Sequence, residues 1–211
     1  INKLNYRNKD FCIAFDGDVD RVVISEKKYG IIESEKIALI FAKYLRKKKI
    51  IKSITTTEIA NPWLKERLKQ ENIKLYFSKV GDRNVTNLKI NTKSGIGFET
   101  SGHFCFDNFM DGLYASGLFL EILKFDPKII YHSLSEEINY QKKIYAIEKR
   151  YIESLKVFLQ KLKKTKMKVI IRKSIWNSYF KIYIFYSKRN PSFLKLKKYL
   201  NDKILKKELK N

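Results

Sequence analysis

What this chain can become is constrained most by residues 11–25, FCIAFDGDVDRVVIS. An apolar run from Phe11 to Phe15 opens into Asp16-Gly17-Asp18-Val19-Asp20-Arg21 and closes into a second apolar run, Val22 to Ile24. Both runs are short and rich in aromatic or β-branched residues, so they predict two strands joined by a tight loop. Gly17 relieves the backbone where the chain bends. Asp16, Asp18 and Asp20 occupy alternate loop positions and can turn inward together. Three like charges so placed are costly unless a cation sits among them, and hard oxygen donors suit Mg²⁺. A solvated acidic turn is the plainer alternative. An EF-hand fails on spacing: counting from Asp16, its invariant Gly position holds Arg21 and its closing Glu position holds Lys27.

This loop resembles the metal loop of the α-D-phosphohexomutases (phosphoglucomutase, phosphomannomutase and phosphoglucosamine mutase), whose usual form is DGDGDR. Val19 replaces the middle Gly, a position that carries no ligand. The resemblance implies that Asp16, Asp18 and Asp20 hold Mg²⁺ and that Arg21 contacts a phosphoserine brought to the loop.

Two later stretches carry the same resemblance. Lys79-Val80-Gly81-Asp82-Arg83 is similar to the VGDR turn of phosphoglucosamine mutases and related phosphomannomutases. Gly81 allows a sharp exit from a strand, and Arg83 offers a fork suited to phosphate or carboxylate. A Gly-Asp turn with a solvated Arg is the alternative. Residues 97–103, Gly-Phe-Glu-Thr-Ser-Gly-His, resemble the family's sugar-binding loop G-G-E-x-S-G-H, with Phe98 in place of the second Gly. A carboxylate, a hydroxyl and an imidazole on one Gly-flanked turn are a compact set of partners for vicinal sugar hydroxyls. Glu99 would accept from two hydroxyls, with Ser101 and His103 completing the contact. Asp111-Gly112-Leu113-Tyr114 matches the segment that follows this loop in the family. His132 has no such context and reads as structural or exposed.

Between these motifs the pattern alternates. Ser34 is placed to cap a helix carrying Ile37, Ile40, Phe41, Tyr44 and Leu45 on one stripe. Ile50–Thr56 predicts a strand, Asn61 and Pro62 open a helix with Leu64 and Leu68 inward, and Ile73–Phe77 predicts the next strand. Strand, helix and strand alternating over 33–125 argue for an α/β layer with parallel strands. Beyond Pro127 the pattern changes. A helix is marked by Ile152, Leu155, Phe158, Leu159 and Leu162, and two strands by Met167–Arg172 and Phe180–Tyr186. In the second strand Phe180, Ile182 and Ile184 read as inward, against Lys181, Tyr183 and Phe185. Asn190 and Pro191 start a last helix with Phe193, Leu196, Leu200 and Ile204 on one face.

The expected fold class is therefore α/β, with residues 33–130 as a parallel-sheet layered domain resembling phosphohexomutase domain III. By the same resemblance, residues 1–32 end a second α/β domain and carry the metal loop, and residues 131–211 form a small α+β C-terminal domain. That last domain normally bears a phosphate loop, R-x-S-G-T-E-P. Here the stretch is Arg172-Lys173-Ser174-Ile175-Trp176-Asn177-Ser178. Arg172 and Ser174 remain as substrate-binding candidates, but loss of the Gly forfeits close backbone approach to an anion and Trp176 is bulky.

Composition narrows the partners. Lys and Arg number 45 against 22 Asp and Glu, a net charge of +23, so nucleic acid must be weighed. The basic residues are mostly Lys, in runs such as Lys47–Lys49, Lys161–Lys168 and Lys195–Lys198, on what read as polar helix faces. An AT-biased genome writes such a composition, and that reading outweighs a dedicated nucleic-acid surface. A general attraction for phosphates remains and suits a sugar-phosphate enzyme. No apolar run approaches the roughly 18–20 residues that span a bilayer, and no secretory leader opens the sequence, so no membrane partner is expected. Cys12 and Cys105 sit in apolar runs without metal-ligand spacing, which reads as buried thiols and places the protein in the cytoplasm.

The implied activity is interconversion of hexose or hexosamine 1-phosphate and 6-phosphate through a Mg²⁺-bound phosphoserine. No Ser-His-Asn-Pro motif occurs in the sequence, so the nucleophile is expected from an N-terminal part or a separate chain. The alternatives are a non-catalytic remnant that binds metal or sugar phosphate, and a basic nucleic-acid-binding module.

Overall fold

In the computed structural model, which describes residues 9–162, 166–174, 179–188 and 190–203, the two opening apolar runs pair as an antiparallel hairpin. Strand β1 (Phe11–Phe15) lies against β2 (Val22–Glu26), with Phe15 opposite Val22, so residues 16–21 form the loop. A short β3 (Gly30–Ile31) completes this sheet beside β2. The chain divides into two compact units, residues 1–60 with 64–137 and residues 61–63 with 138–211.

Helix α1 (Ser34–Lys47) follows in the first unit. Its buried surface is wider than one stripe: Ala38, Leu39 and Ala42 are buried along with Ile37, Ile40, Phe41 and Tyr44. Ser34 does not cap it. Glu33 is the N-cap residue, and the Ser34 hydroxyl donates to the Thr100 carbonyl 3.3 Å away. Next come β4 (Ser53–Thr57), α2 (Pro62–Gln70), β5 (Lys74–Ser78), α3 (Asp82–Thr92), β6 (Ile96–Phe98) and β7 (Phe104–Cys105). Asn61 caps α2, its side-chain oxygen accepting from the Trp63 amide at 3.1 Å.

These strands form one sheet in the order β5-β4-β6-β7. The parallel expectation holds at its centre, where β4 pairs in parallel with both β5 and β6. Strand β7 is the exception. It turns straight back on β6 as an antiparallel hairpin, because only the five residues 99–103 separate them and a parallel return needs a long crossover. All of β4 is buried, as a central parallel strand should be. Helix α4 (Gly112–Phe125) is capped by Asp111, which accepts from the Tyr114 amide at 2.7 Å, and α5 (Pro127–Ser135) packs against α1 and α4 within the same unit. Cys105 is buried and Cys12 half-buried. Among the described residues no helix is long and apolar enough to cross a membrane.

The second unit contains a strand that periodicity does not announce, β8 (Tyr140–Glu148). After it come α6 (Ile152–Lys161), β9 (Met167–Lys173), β10 (Tyr179–Ser187) and α7 (Pro191–Lys203), the last capped by Asn190. The sheet order is β8-β10-β9, antiparallel throughout. Ile182 and Ile184 face a core with Leu155, Leu159, Phe193 and Leu196. Tyr183 and Phe185, expected outward, are buried as well. The Lys142 ammonium lies over the Tyr183 ring at 6.0 Å from its centroid, and that of Lys168 over the Phe185 ring at 5.8 Å. Ile204 lies outside the described residues.

Candidate metal centre and adjoining turn

The hairpin geometry delivers the three carboxylates. Between Phe15 and Val22 the loop turns tightly, the Val19 amide donating to the Asp16 carbonyl at 3.3 Å. One carboxylate oxygen from each of Asp16, Asp18 and Asp20 lies within 4.8 Å of the others. Two opposite ligands of a Mg²⁺ ion span about 4.2 Å, so these donors are near the spacing the ion requires. Asp20 Oδ1 is shielded from solvent and accepts no hydrogen bond, with Arg21 Nε 3.8 Å away, beyond hydrogen-bond reach. A buried carboxylate oxygen without a donor is costly, and a cation would satisfy it. The residues present fit a hard divalent metal.

Arg21 is held inside the same loop. Its Nε donates to Asp16 Oδ2, and its backbone amide donates to Asp16 Oδ1 at 3.2 Å. Desolvation works against ionisation of Asp16, but these bonds from Arg21 outweigh it and hold the carboxyl below its usual range.

Val19 has φ +62°, a left-handed conformation that a β-branched residue rarely adopts. The position asks for glycine and holds valine. Strain of this kind persists only where the surroundings impose it, and here Gly112 holds Val19 itself while Gly102 holds the end of the loop at Val22. The Gly112 amide at the start of α4 donates to the Val19 carbonyl at 3.1 Å. A Cβ on Gly112 would stand 2.7 Å from that oxygen and 2.9 Å from the Arg21 carbonyl carbon and oxygen. Gly102, at φ +101°, approaches Val22 as closely, and its carbonyl accepts from the Val22 amide at 3.1 Å. Both glycines stand within short polar motifs of the sequence, but their clamp on the acidic loop is not legible there. Glycines beside short polar motifs were the signal available.

The β6–β7 connection is the second half of the site. Glu99 and His103 close it, the Glu99 amide donating to the His103 carbonyl at 2.9 Å and the Gly102 amide to the Glu99 carbonyl at 3.2 Å. Phe98 and Phe104 anchor its two ends, fully buried and stacked with centroids 5.8 Å apart. Phe41 of α1 meets Phe104 edge-on at 5.4 Å. The residue at 98 is thus an anchor for the turn.

Glu99 is buried, and both its oxygens are engaged. Oε1 accepts from the Gly81 amide at 2.8 Å, and Oε2 lies 3.4 Å from His103 Nδ1. Burial pushes this carboxyl up, but the His103 and Gly81 hydrogen bonds prevail and hold it below the usual range. The role of Gly81 as an amide donor to Glu99 was not legible in the sequence. Ser101 is exposed, with Oγ 2.9 Å from His103 Nδ1. The other ring nitrogen, Nε2, lies 3.2 Å from Asp20 Oδ2. His103 therefore stands between the acidic loop and the turn, and the hydrogen bond with Glu99, helped by the charge of Asp20, raises its pKa above the ordinary 6.5 against the pull of burial. The Arg21 and His103 backbones also form an isolated antiparallel bridge. Two motifs about eighty positions apart meet here as one cluster.

Arg83, in the first turn of α3, is exposed and lines a groove of about 350 Å³ with Asp20, Asp82, Asn87, Asn108 and Phe109. Arg172 and Ser174 belong to the second unit. Arg172 pairs with Lys181 across β9 and β10, and the buried Ser174 donates its amide to the Tyr179 carbonyl at 3.0 Å. Residues 175–178 lie outside the described residues.

The family model for the phosphoglucomutase/phosphomannomutase α/β/α domain III matches residues 33–143. The phosphoglucosamine mutase of Limosilactobacillus reuteri is 30% identical over 146 residues, 67% of this chain and 32% of that protein. That of Dictyoglomus turgidum is 39% identical over 116 residues, 53% of this chain and 26% of that protein. A crystal structure of a phosphoglucomutase/phosphomannomutase family protein from Burkholderia thailandensis superposes with a TM-score of 0.73 at 18% identity, covering 93% of this chain and 48% of that one. The Aspergillus fumigatus N-acetylphosphoglucosamine mutase, solved with GlcNAc-6P and magnesium, gives a TM-score of 0.64 at 14% identity, covering 92% of this chain and 52% of that one. The matches thus span about a third or less of those two phosphoglucosamine mutases and about half of the two solved structures.

Proposed function

Because the chain belongs to the phosphoglucomutase/phosphomannomutase family of α-D-phosphohexomutases, we propose that it provides the metal-holding and sugar-holding part of a hexosamine-phosphate mutase. In this reading Asp16, Asp18 and Asp20 hold Mg²⁺. When bound, the ion offsets negative charge on a phosphoryl group in transfer. Arg21, oriented by Asp16, points its remaining donors at the phosphorylated serine. Glu99, Ser101 and His103 take the sugar hydroxyls, with the Gly81 amide fixing the Glu99 carboxylate. Arg83 meets the phosphate that is not being transferred. The phosphoserine comes from outside these 211 residues, on an N-terminal extension or a separate chain, and the outcome is exchange between the 1-phosphate and the 6-phosphate. Glucosamine phosphate is the substrate favoured, since the relatives above are phosphoglucosamine mutases.

The observation that carries this reading is the placement of His103 between Asp20 and Glu99, which brings the acidic loop against the turn that would take the sugar. A second reading, a binder without turnover, is favoured by Ile175-Trp176-Asn177-Ser178 standing where the family has Gly-Thr-Glu-Pro.

The test has two stages. Glucosamine 6-phosphate titrated into the chain with Mg²⁺ present should give saturable binding that Glu99→Ala weakens about tenfold or more. Equal affinity for the variant removes the sugar site. Protein purified from its native source is then assayed for 1-phosphate to 6-phosphate conversion, with every co-purifying chain identified by mass. Turnover with a serine-bearing extension or partner supports the mutase, and binding without either supports the second reading.

A further inference from the structure

Where the last turns of α1 approach α5, the first unit has a hollow of about 480 Å³ whose lining is mostly cationic. Lys43, Arg46 and Lys47 enter it from α1, and Lys128 and His132 from α5, with Glu71 the one carboxylate in the lining. It shares no lining residue with the groove beside Asp20.

The pairing of these charges is uneven. The Lys43 side chain is only 11% exposed, and its ammonium sits between Glu136 at 2.6 Å and Glu71 at 3.6 Å. Glu136 is also held by Arg67 at 3.0 Å, and Lys47 is bound to Asp126 at 2.6 Å. Glu71, Asp126 and Glu136 thus each already face a cation, and His132 Nε2 also lies 3.8 Å from Glu136 Oε1. Arg46 and Lys128 have no carboxylate partner among the described residues. Two unmatched cations gathered beside two matched ones repel each other, and an anion in the hollow would relieve that.

We propose that this hollow binds a small phosphorylated molecule, with Arg46 forking onto phosphate oxygens and Lys128 acting as a point charge. Its volume lies within the roughly 300–1,000 Å³ of small-molecule sites. Ile129 and the lysine stems give it an apolar wall for the rest of the ligand. A nucleic-acid backbone fits less well, because Glu71, Asp126 and Glu136 interrupt the positive surface around the hollow.

The probe is pyrophosphate, titrated calorimetrically into the full chain without Mg²⁺, with amide shifts followed by NMR. The variants are Arg46→Gln/Lys128→Gln and, as a control with the same loss of charge, Lys65→Gln/Lys69→Gln on α2. Folding of each is checked by its thermal melt. The expected result is saturable binding, shifts at Ile129 and His132, and affinity at least about tenfold weaker in the Arg46/Lys128 variant but unchanged in the control. Equal losses in both variants, absence of saturable binding, or shifts confined to residues 16–21 and 99–103 would overturn the proposal. So would tighter binding of duplex DNA that survives loss of Arg46 and Lys128.

Discussion

Replacing Gly112 by Ala adds one methyl group at the point where α4 touches the acidic loop. The new Cβ would lie 2.7 Å from the Val19 carbonyl oxygen and 2.9 Å from the Arg21 carbonyl carbon and oxygen. All three neighbours are backbone, so no side chain can swing away. Comfortable non-bonded carbon contacts lie at about 3.5–4.0 Å, and relief therefore requires a backbone shift of several tenths of an ångström or more. Overpacking of this size costs about 1–3 kcal/mol, against a gain of about 0.4–1 kcal/mol from the reduced freedom of the unfolded chain. The net expectation is a loss of about 1–2 kcal/mol, or roughly 2–8 °C in melting temperature for a chain of this size. The same shift moves Val19 and Arg21, the neighbours of Asp18 and Asp20, and so spreads the carboxylates. Mg²⁺ affinity should fall about tenfold, the equivalent of about 1.4 kcal/mol. Thermal melts report the first effect and calorimetric titration of Mg²⁺ the second. A variant that melts at or above the parent temperature and binds Mg²⁺ equally would refute the idea that this close approach sets the loop.

Two further substitutions and conditions probe the same cluster. Val19→Gly removes a β-branched residue from φ +62° and should stabilise the protein by up to about 1 kcal/mol, because relief of left-handed backbone, roughly 1–2 kcal/mol, outweighs the roughly 0.4–1 kcal/mol lost to a freer unfolded chain; a urea midpoint lowered by this change would contradict that. His103 has a raised pKa in the folded state, first through Glu99 and then Asp20. Its stabilising contribution is thus complete below the unfolded value near 6.5 and is lost as pH rises through the folded value. Melts of metal-free protein should show stability falling on that alkaline side, and His103→Asn should flatten the dependence.

Much of this site was legible because its parts are local. FCIAFDGDVDRVVIS reads as strand, acidic loop and strand without knowledge of anything else, and GFETSGH reads as a polar turn between apolar flanks. The βαβ alternation fixed the parallel centre of the sheet for the same reason. What was hidden depends on distant partners. Ser34 has the identity of a cap, yet its hydroxyl reaches Thr100 instead. Strand β8 escaped notice because Gln141, Lys142 and Lys143 break the apolar pattern, which an edge strand tolerates. Tyr183 and Phe185 read as outward on period alone, yet both are buried, with lysine ammoniums from the two neighbouring strands over their rings. The Gly112 and Gly102 clamps and the bond from Gly81 to Glu99 join residues that periodicity cannot relate.

For the residue 16–21 loop as a divalent-metal site, Asp18 offers the cleanest access because its side chain is exposed. The decisive measurement is a calorimetric titration of Mg²⁺ into the chain and into Asp18→Asn at equal ionic strength. A saturable one-to-one isotherm for the parent, abolished in the variant while the melt stays within a few degrees, is the result predicted. Equal binding by both, or binding by neither, would contradict the assignment of Asp16, Asp18 and Asp20 as ligands.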